Sequence, residues 1–320
     1  MGCGGANVAF DVDCFDQLAT AQKAAMTRIG IVVNPTSGRG RGLTEGHEAF
    51  AAFAAAGIEL VDLSAADYQS ASAKAKTAVA QRSIDALVVQ GGDGMFHLGV
   101  NACAESAIPL GLIGSGTGND SAQALGLPIH DVQSGVQRII SALDAPRKVD
   151  LIRSKSNSRE FFSFGAVSAG FDALVNARAN RWTALGQARY KISMYAELAA
   201  FKPIRYQLTV DGAERELEAI LCTVTNTAAY GGGMMIAPSA SFTDGELDLF
   251  ILHSISRPEL IKLFPSVYTG EHIKHPAVEI VRAKHVRVES EGMPAYSDGE
   301  HVGTSPVDCT VETDLLKVLA

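Results

Sequence analysis

Ile29-Gly30-Ile31-Val32-Val33-Asn34-Pro35-Thr36-Ser37-Gly38 is a short apolar, β-branched run that stops at a loop of Asn, Pro, Thr, Ser and Gly. Such a run fits a strand buried on both faces, and the loop after it is a tight one. A helical stretch follows at Leu43 to Ala56, and the unit then recurs. Ile58 to Leu63, Ile84 to Val89 and Leu110 to Ile113 are further short apolar runs, separated by Ala-rich helical stretches at 65–82 and 95–106. Strands alternating with helices build a parallel sheet, so residues 29–148 are expected to form a doubly wound α/β domain.

From about Val149 the texture changes. Strands are expected at 161–167, 206–210, 217–225, 247–252 and 286–289, with helices only at 177–201 and 258–269, the latter with Pro258 in its first turn. Residues 149–305 therefore read as a second, β-rich, sandwich-like domain. Residues 1–28 read as a leader carrying one helix near 15–25, and residues 306–320 as a C-terminal segment whose return to the first domain is left open.

The 320 residues are 47% hydrophobic and 19% charged, enough apolar content for a large core and too much for a disordered chain. Lys and Arg number 27 against 35 Asp and Glu, a net charge of -8, which argues against nucleic acid as a partner. Cys3, Cys14, Cys103, Cys222 and Cys309 are scattered and odd in number, so free thiols are expected. No apolar run approaches the ~20 residues of a membrane span. Ala6 stands where a myristoylation signal wants Ser or Thr. The expected location is the cytosol or a membrane surface.

In an open α/β sheet, ligands collect at the carboxyl ends of the strands. Three glycine-rich loops end the strands of the first domain: Asn34-Pro35-Thr36-Ser37-Gly38, Gly91-Gly92-Asp93-Gly94 and Gly114-Ser115-Gly116-Thr117-Gly118-Asn119-Asp120. Glycine lets backbone N–H groups approach phosphate oxygens, so loops of this kind form anion cradles. One such loop is no more than a tight turn; three at one sheet edge point to a nucleotide. A P-loop is absent, since Gly38-Arg39-Gly40-Arg41-Gly42 lacks the Lys and hydroxyl. G-x-G-x-x-G is also missing after the first strand, which disfavours a dinucleotide oxidoreductase.

In order along the chain, N-P-T-S-G at 34–38, G-G-D-G at 91–94, G-T-G-N-D at 116–120, D-G-E-L-D at 244–248 and D-G-E at 298–300 resemble the diacylglycerol kinase catalytic-domain family of soluble lipid kinases, which includes sphingosine kinases. The resemblance runs from about Ile29 to the C-terminus. It departs after G-G-D-G, where the family has Thr and, two residues on, Asn-Glu; here stand Met95, His97 and Leu98.

The resemblance implies an ATP-dependent lipid kinase with the active site in the cleft between the two domains. ATP is then the co-substrate, Mg²⁺ the cofactor and a membrane-derived lipid the acceptor. Nucleotide contacts are expected from Asn34, Pro35, Thr36, Ser37, Gly38, Gly91, Gly92, Asp93, Gly94, Met95, Gly116, Thr117, Asn119 and Asp120, with Ser64 on the adenosine side. Asp93, Asp120 and Asp150 are candidate ligands of the ATP-associated Mg²⁺. A second, structural Mg²⁺ is implied at Ser241, Asp244 and Glu246. Asp298 and Glu300 would divide the work at the acceptor hydroxyl, one as base and the other as its orienter or a metal ligand.

Plainer readings stand beside these. Ser64 suits a helix N-cap, Asp244-Gly245 a hairpin turn between two strands, and His97 a packed or solvent-facing histidine. Residues 178–205 carry Arg178, Arg181, Arg189, Lys191, Lys202 and Arg205 among Trp182, Tyr190, Met194 and Tyr195, and suit either a peripheral membrane contact or a solvated helix face. A NAD-kinase-like kinase of a soluble acceptor and a catalytically silent nucleotide or lipid sensor are the alternatives. The acceptor's identity and the oligomeric state are open.

Overall fold

The structure, a computed structural model, describes residues 27–156, 159–170, 175 and 203–320. Its first domain carries parallel strands β1 (Arg28–Val33), β2 (Glu59–Asp62), β3 (Ala86–Gly91) and β4 (Leu110–Gly114) in the order β2-β1-β3-β4. The helices are α1 (Ser37–Gly40), α2 (Gly42–Ala55), α3 (Tyr68–Ala80), α4 (Asp93–Cys103), α5 (Asp120–Leu125) and α6 (Val132–Ala142).

Successive strand side chains point to opposite faces, so an all-apolar strand feeds two cores at once. Ile29, Ile31, Val33, Ala86 and Val88 join Phe53 of α2 and Val136 and Ile139 of α6 on one face. On the other, Val32, Leu87, Val89 and Leu112 join Ala71 and Ala75 of α3 and Phe96 and Val100 of α4. Helix α3 starts later than the sequence pattern indicates. Its N-cap is Asp67, whose carboxylate accepts the Ser70 N–H at 2.8 Å, and not Ser64. The Ser64 hydroxyl is engaged elsewhere, accepting the Val33 N–H at 3.0 Å.

The second domain is built from β5 (Arg147–Ser156), β6 (Arg159–Ser163), β7 (Ala166–Ser168), β8 (Ile204–Val210), β9 (Ala213–Thr225), β10 (Leu247–His253), β11 (Val278–Ala283), β12 (His285–Glu289), β13 (Pro294–Ser297), β14 (Glu300–Thr304) and β15 (Val307–Val318). Its pairings are antiparallel. The single strand expected at 161–167 is two, because the Phe164, Gly165 and Ala166 N–H groups turn away from the ladder to the Asp298 carboxylate. The helix expected at 258–269 is α7 (Arg257–Leu263) followed by a 3₁₀ segment, Phe264–Thr269. Pro265 has no N–H to continue the α ladder.

Strand β15 spans both units. It pairs with β12 and β5, and its last residues reach β4, where the Leu319 N–H donates to the Leu110 carbonyl at 2.8 Å. The two cores meet around α4: Phe96 packs edge-on against Phe164 with ring centroids 5.3 Å apart, and Val149, Leu151 and Leu316 belong to the same apolar layer. One domain cannot shift without disturbing that layer.

Cys103, Cys222 and Cys309 are buried and in no disulfide, and burial pushes Cys103 and Cys309 up to about 12. No helix among the described residues is long and apolar enough to cross a membrane. The expected helices near 15–25 and at 177–201, and nearly all of the basic stretch 178–205, lie outside the described residues. Within that stretch Arg205 is described, as an exposed residue of β8 paired with Glu216.

Glu279 of β11 ties two neighbours together. Arg215 holds it with two bonds, 2.6 and 2.8 Å, and His253 Nε2 lies 2.7 Å from it. The Arg215 bond is the main reason the Glu279 carboxyl is lowered to about 2. A depressed carboxyl contributes stability above its unfolded value of 4.5 and loses it as pH falls toward 2. Partly exposed, the cluster is worth roughly 1 kcal/mol or less. Glu279→Gln is thus expected to melt slightly below the parent at pH 6 and level with it near pH 2; an equal gap at both values, by thermal denaturation, would refute this.

Candidate active site

The three glycine-rich loops touch one another. At their base Gln90, fully buried at the end of β3, donates from its amide to the Ser115 and Ser37 hydroxyls and to Glu45. Ser37 and Ser115 hydroxyls are themselves 3.1 Å apart. The Ser115 N–H donates to the Gly91 carbonyl at 2.8 Å. A Cβ on Gly116 would lie 2.3 Å from the Gly92 Cα, a contact only two glycines can make.

Each loop is also braced internally. Asn34 Oδ1 accepts the Thr36 N–H and hydroxyl at 3.0 and 2.8 Å, an Asx turn that shapes residues 34–38. Asn119 clamps Gly116 through both backbone groups, at 2.7 and 2.9 Å, with its own backbone left-handed at φ 57°. Asn34 and Asn119 are therefore loop formers whose side-chain oxygens are already in use. Pro35, Thr36 and Thr117 are exposed at the loop crests. Met95 differs from its expected role: its side chain is 8% exposed and joins the apolar layer under α4. Ser64 reaches the end of β1 through its hydroxyl, as described above.

Asp93 and Asp120 flank Gly118, where a Cβ would sit 2.9 Å from Asp93 Oδ2 and 3.6 Å from Asp120 Oδ2. Asp93 Oδ1 accepts the Ser121 N–H at 2.9 Å. Asp120 reaches across to the second domain, accepting the Gly232 and Gly233 N–H groups at 2.7 and 2.8 Å. Burial pushes the Asp120 carboxyl up, those two N–H groups oppose the shift, and the Asp93 charge adds to it. Among the described residues no cation is paired with either carboxylate. Two convergent carboxylates without a basic partner fit a hard divalent cation that takes its remaining oxygens from phosphate and water.

The other metal expectations fare differently. Asp150 is 3% exposed, and its oxygens accept the Gly245 and Asp314 N–H groups, both at 2.9 Å. It pins the turn before β10 to β15. At that turn Arg282 pairs with Asp244, and with Glu246 at 2.8 Å, while Asp244 Oδ1 accepts the Glu246 N–H at 3.2 Å. Ser241 bonds Thr243 instead, with the hydroxyls 3.2 Å apart. The one guanidinium offsets one of these two carboxylate charges and occupies the Asp244 side chain, while the ligands expected of Ser241 and Glu246 are their backbone carbonyls. Among the described residues no group of three His, Cys, Asp or Glu converges as a metal centre. Nor is Asp244-Gly245 a hairpin turn. Strand β9 ends at Thr225, and the loop that follows makes no strand before β10 begins at Leu247.

Asp298 and Glu300 have separate environments two residues apart. Asp298, left-handed at φ 47°, accepts the Phe164, Gly165 and Ala166 N–H groups at 3.0, 2.9 and 2.9 Å and faces His97 Nδ1 at 3.3 Å. Its side chain is 8% exposed and has no capacity left for a substrate proton. Glu300 is exposed and points across the domain boundary, where a Cβ on Gly94 would be 2.9 Å from its Oε1. It stands at the first turn of α4, the helix that opens from G-G-D-G.

Four residues enter the site without a sequence signal strong enough to find them. The Tyr68 hydroxyl is pushed up, first by partial burial and then by the charges of Glu300 and Asp298. Arg41 lies against the first loop, its Nε donating to the Gly38 carbonyl at 3.1 Å. Asn101 and His97 complete the contact with Asp298. His97 is packed, as expected of it, but against a charged group of the other domain.

Comparison with known proteins agrees with this two-part fold. Residues 28–154 match the model of the diacylglycerol kinase catalytic domain, and residues 165–320 that of the YegS C-terminal NAD kinase beta sandwich-like domain. A diacylglycerol kinase of Mycobacterium tuberculosis is 36% identical over 296 residues, 91% of this chain and 94% of that protein. One from Bacillus subtilis is 30% identical over 284 residues, 88% of this chain and 92% of that protein. The crystal structure of a diacylglycerol kinase from Bacillus anthracis superposes with a TM-score of 0.68 at 20% identity, covering 92% of this chain and 96% of that one, which shows the shared fold.

Proposed function

The chain belongs to the diacylglycerol kinase family of ATP-dependent lipid kinases, and from that premise we propose that it phosphorylates the free hydroxyl of diacylglycerol or a closely related lipid. The observation that carries the proposal is Glu300 beside Gly94, a free carboxylate of one domain at the phosphate-facing loop of the other. The names of the two bacterial relatives support diacylglycerol as the acceptor.

Glycine-rich backbone at residues 34–38, 91–94 and 116–118 offers N–H groups to the phosphates, and Arg41 adds a fixed positive charge next to them. Asp93 and Asp120 would hold Mg²⁺. Bound there, the cation would neutralise charge on the β- and γ-phosphates. Glu300 accepts the acceptor proton as the lipid oxygen bonds to the γ-phosphorus and the bond to the β-phosphate oxygen breaks, releasing ADP. Asp298 is not assigned this role, because its oxygens already accept three backbone N–H groups and face His97. The lipid is met by peripheral contact with a membrane surface.

The test is incubation with ATP and Mg²⁺ on mixed vesicles holding acylglycerols and sphingoid bases, with NAD in a parallel reaction. Phosphatidic acid is the expected product. Phosphate gained only by sphingoid base or NAD would overturn the acceptor assignment, and nucleotide binding without any transfer would favour a sensor.

A further inference from the structure

Helix α4 carries two roles on successive turns of one face. Its first residues, Asp93 and Gly94, belong to the phosphate-facing loop, and one turn later His97 leaves the first domain's core to meet the second domain. His97 is 6% exposed and contacts a single acidic side chain, Asp298. Neither the nucleotide loops nor the acceptor base uses it.

The proton on its ring follows from its neighbours. The Phe162 N–H donates to Asn101 Oδ1 at 2.9 Å, and Asn101 Nδ2 donates to the Phe162 carbonyl at 2.9 Å, so the orientation of the Asn101 amide is fixed by the backbone of β6. That amide nitrogen lies 3.3 Å from His97 Nε2. Its two hydrogens go to the Phe162 and His97 carbonyls, at 2.9 and 3.0 Å, so the tautomer is read from the other ring nitrogen: a carboxylate only accepts, which places the ring proton on Nδ1, with Asp298 Oδ2 3.3 Å away. The chain of contacts runs from β6 through Asn101 and His97 to the Asp298–Glu300 turn, and the same turn is held from behind by the N–H groups of residues 164–166.

We propose that His97 is a positioning residue: as the Nδ1–H tautomer, it fixes the Asp298 turn against α4 and so sets the distance from Glu300 to the γ-phosphoryl group. The proposal rests on the lipid kinase reading for its kinetic consequence, but the tautomer does not. Misplacing a reacting group by about 1 Å costs on the order of 100-fold in rate, whereas nucleotide loops built from residues 34–38, 91–94 and 116–120 keep their own contacts.

Two amide substitutions separate the ring nitrogens. The amide nitrogen of Asn overlays Nδ1 as a donor, and the amide oxygen of Gln reaches the place of Nε2 as an acceptor. His97→Asn is therefore expected to keep the donor to Asp298 and stay within about 3-fold of the parent kcat. His97→Gln keeps the Asn101 side, loses the Asp298 side, and is expected to lose roughly 10- to 100-fold in kcat. For both, KM for ATP should stay within about 2-fold, and the kcat loss of His97→Gln should persist at temperatures where both variants are fully folded, which a merely structural role would not give. Separately, ¹⁵N-histidine NMR of the ligand-free parent should show one buried ring protonated at Nδ1, the signal disappearing in His97→Asn. Equal kcat for the Asn and Gln variants, or an Nε2-protonated ring whose signal disappears in His97→Asn, would overturn the proposal. A parent that phosphorylates no lipid while showing the Nδ1–H signal would instead overturn the lipid kinase reading and leave the tautomer assignment standing.

Discussion

Glu300→Gln is expected to lower lipid phosphorylation by about 10²- to 10⁴-fold, the usual contribution of a general base, with ATP affinity unchanged. Gln keeps the shape of the side chain and removes its ability to take a proton. Since Glu300 is exposed, the change should alter stability by no more than about 0.5 kcal/mol. Steady-state kinetics, isothermal titration with a non-hydrolysable ATP analogue and a thermal melt decide the matter together. Asp298→Ala gives the contrast. It strands the N–H groups of Phe164, Gly165 and Ala166 and the ring of His97, at about 1–3 kcal/mol for each buried donor left without an acceptor. Its activity should fall together with its melting temperature. A Glu300→Gln enzyme that retains parental kcat would remove Glu300 from the chemistry.

Gly116→Ala is expected to break the nucleotide site from the inside. The new methyl would lie 2.3 Å from the Gly92 Cα and 2.9 Å from both Gly92 N and Asn119 Oδ1. Two of these three atoms are backbone, so no rotamer change relieves the clash and the loops must separate. Overpacking of this kind costs roughly 1–3 kcal/mol, and the Asn119 clamp on Gly116 is lost with it. ATP-analogue affinity should fall at least about 10-fold, since the N–H groups of both loops leave their places. Calorimetric titration reads this directly. Parental affinity in a folded Gly116→Ala protein would mean that the phosphates bind somewhere other than where these loops meet.

The lipid kinase family and the two-part fold were legible in short runs of residues. The β1 sequence Ile29 to Val33 is apolar at every position but one, which specifies a strand covered on both faces and therefore helices above and below it. Gly92 and Gly116 marked loops of close approach because no other residue type permits one. Strands β5 and β15 escaped notice for the converse reason. Arg147, Lys148 and Lys155 in one, and Glu312, Asp314 and Lys317 in the other, interrupt the apolar pattern, and two of the ion pairs that join the strands link residues far apart along the chain. Lys148 meets Asp314 at 2.9 Å, and Arg153 meets Glu312 at 2.7 Å.

Within the site, residue types and spacing pointed to the three loops and to a set of carboxylates wider than the one the fold gathers there. Their division of labour is a tertiary property. Asp298 and Glu300 are the same kind of acid two positions apart. One is saturated by N–H groups from residues over a hundred positions earlier, and the other is left free beside Gly94. Asp150 and Asp120 likewise look alike in sequence until Gly245 and Asp314 occupy the first and the Gly232–Gly233 backbone reaches the second. Local sequence sets which groups can ionise or bend; what each carboxylate does depends on which backbone donors the fold brings to it, and those come from other strands.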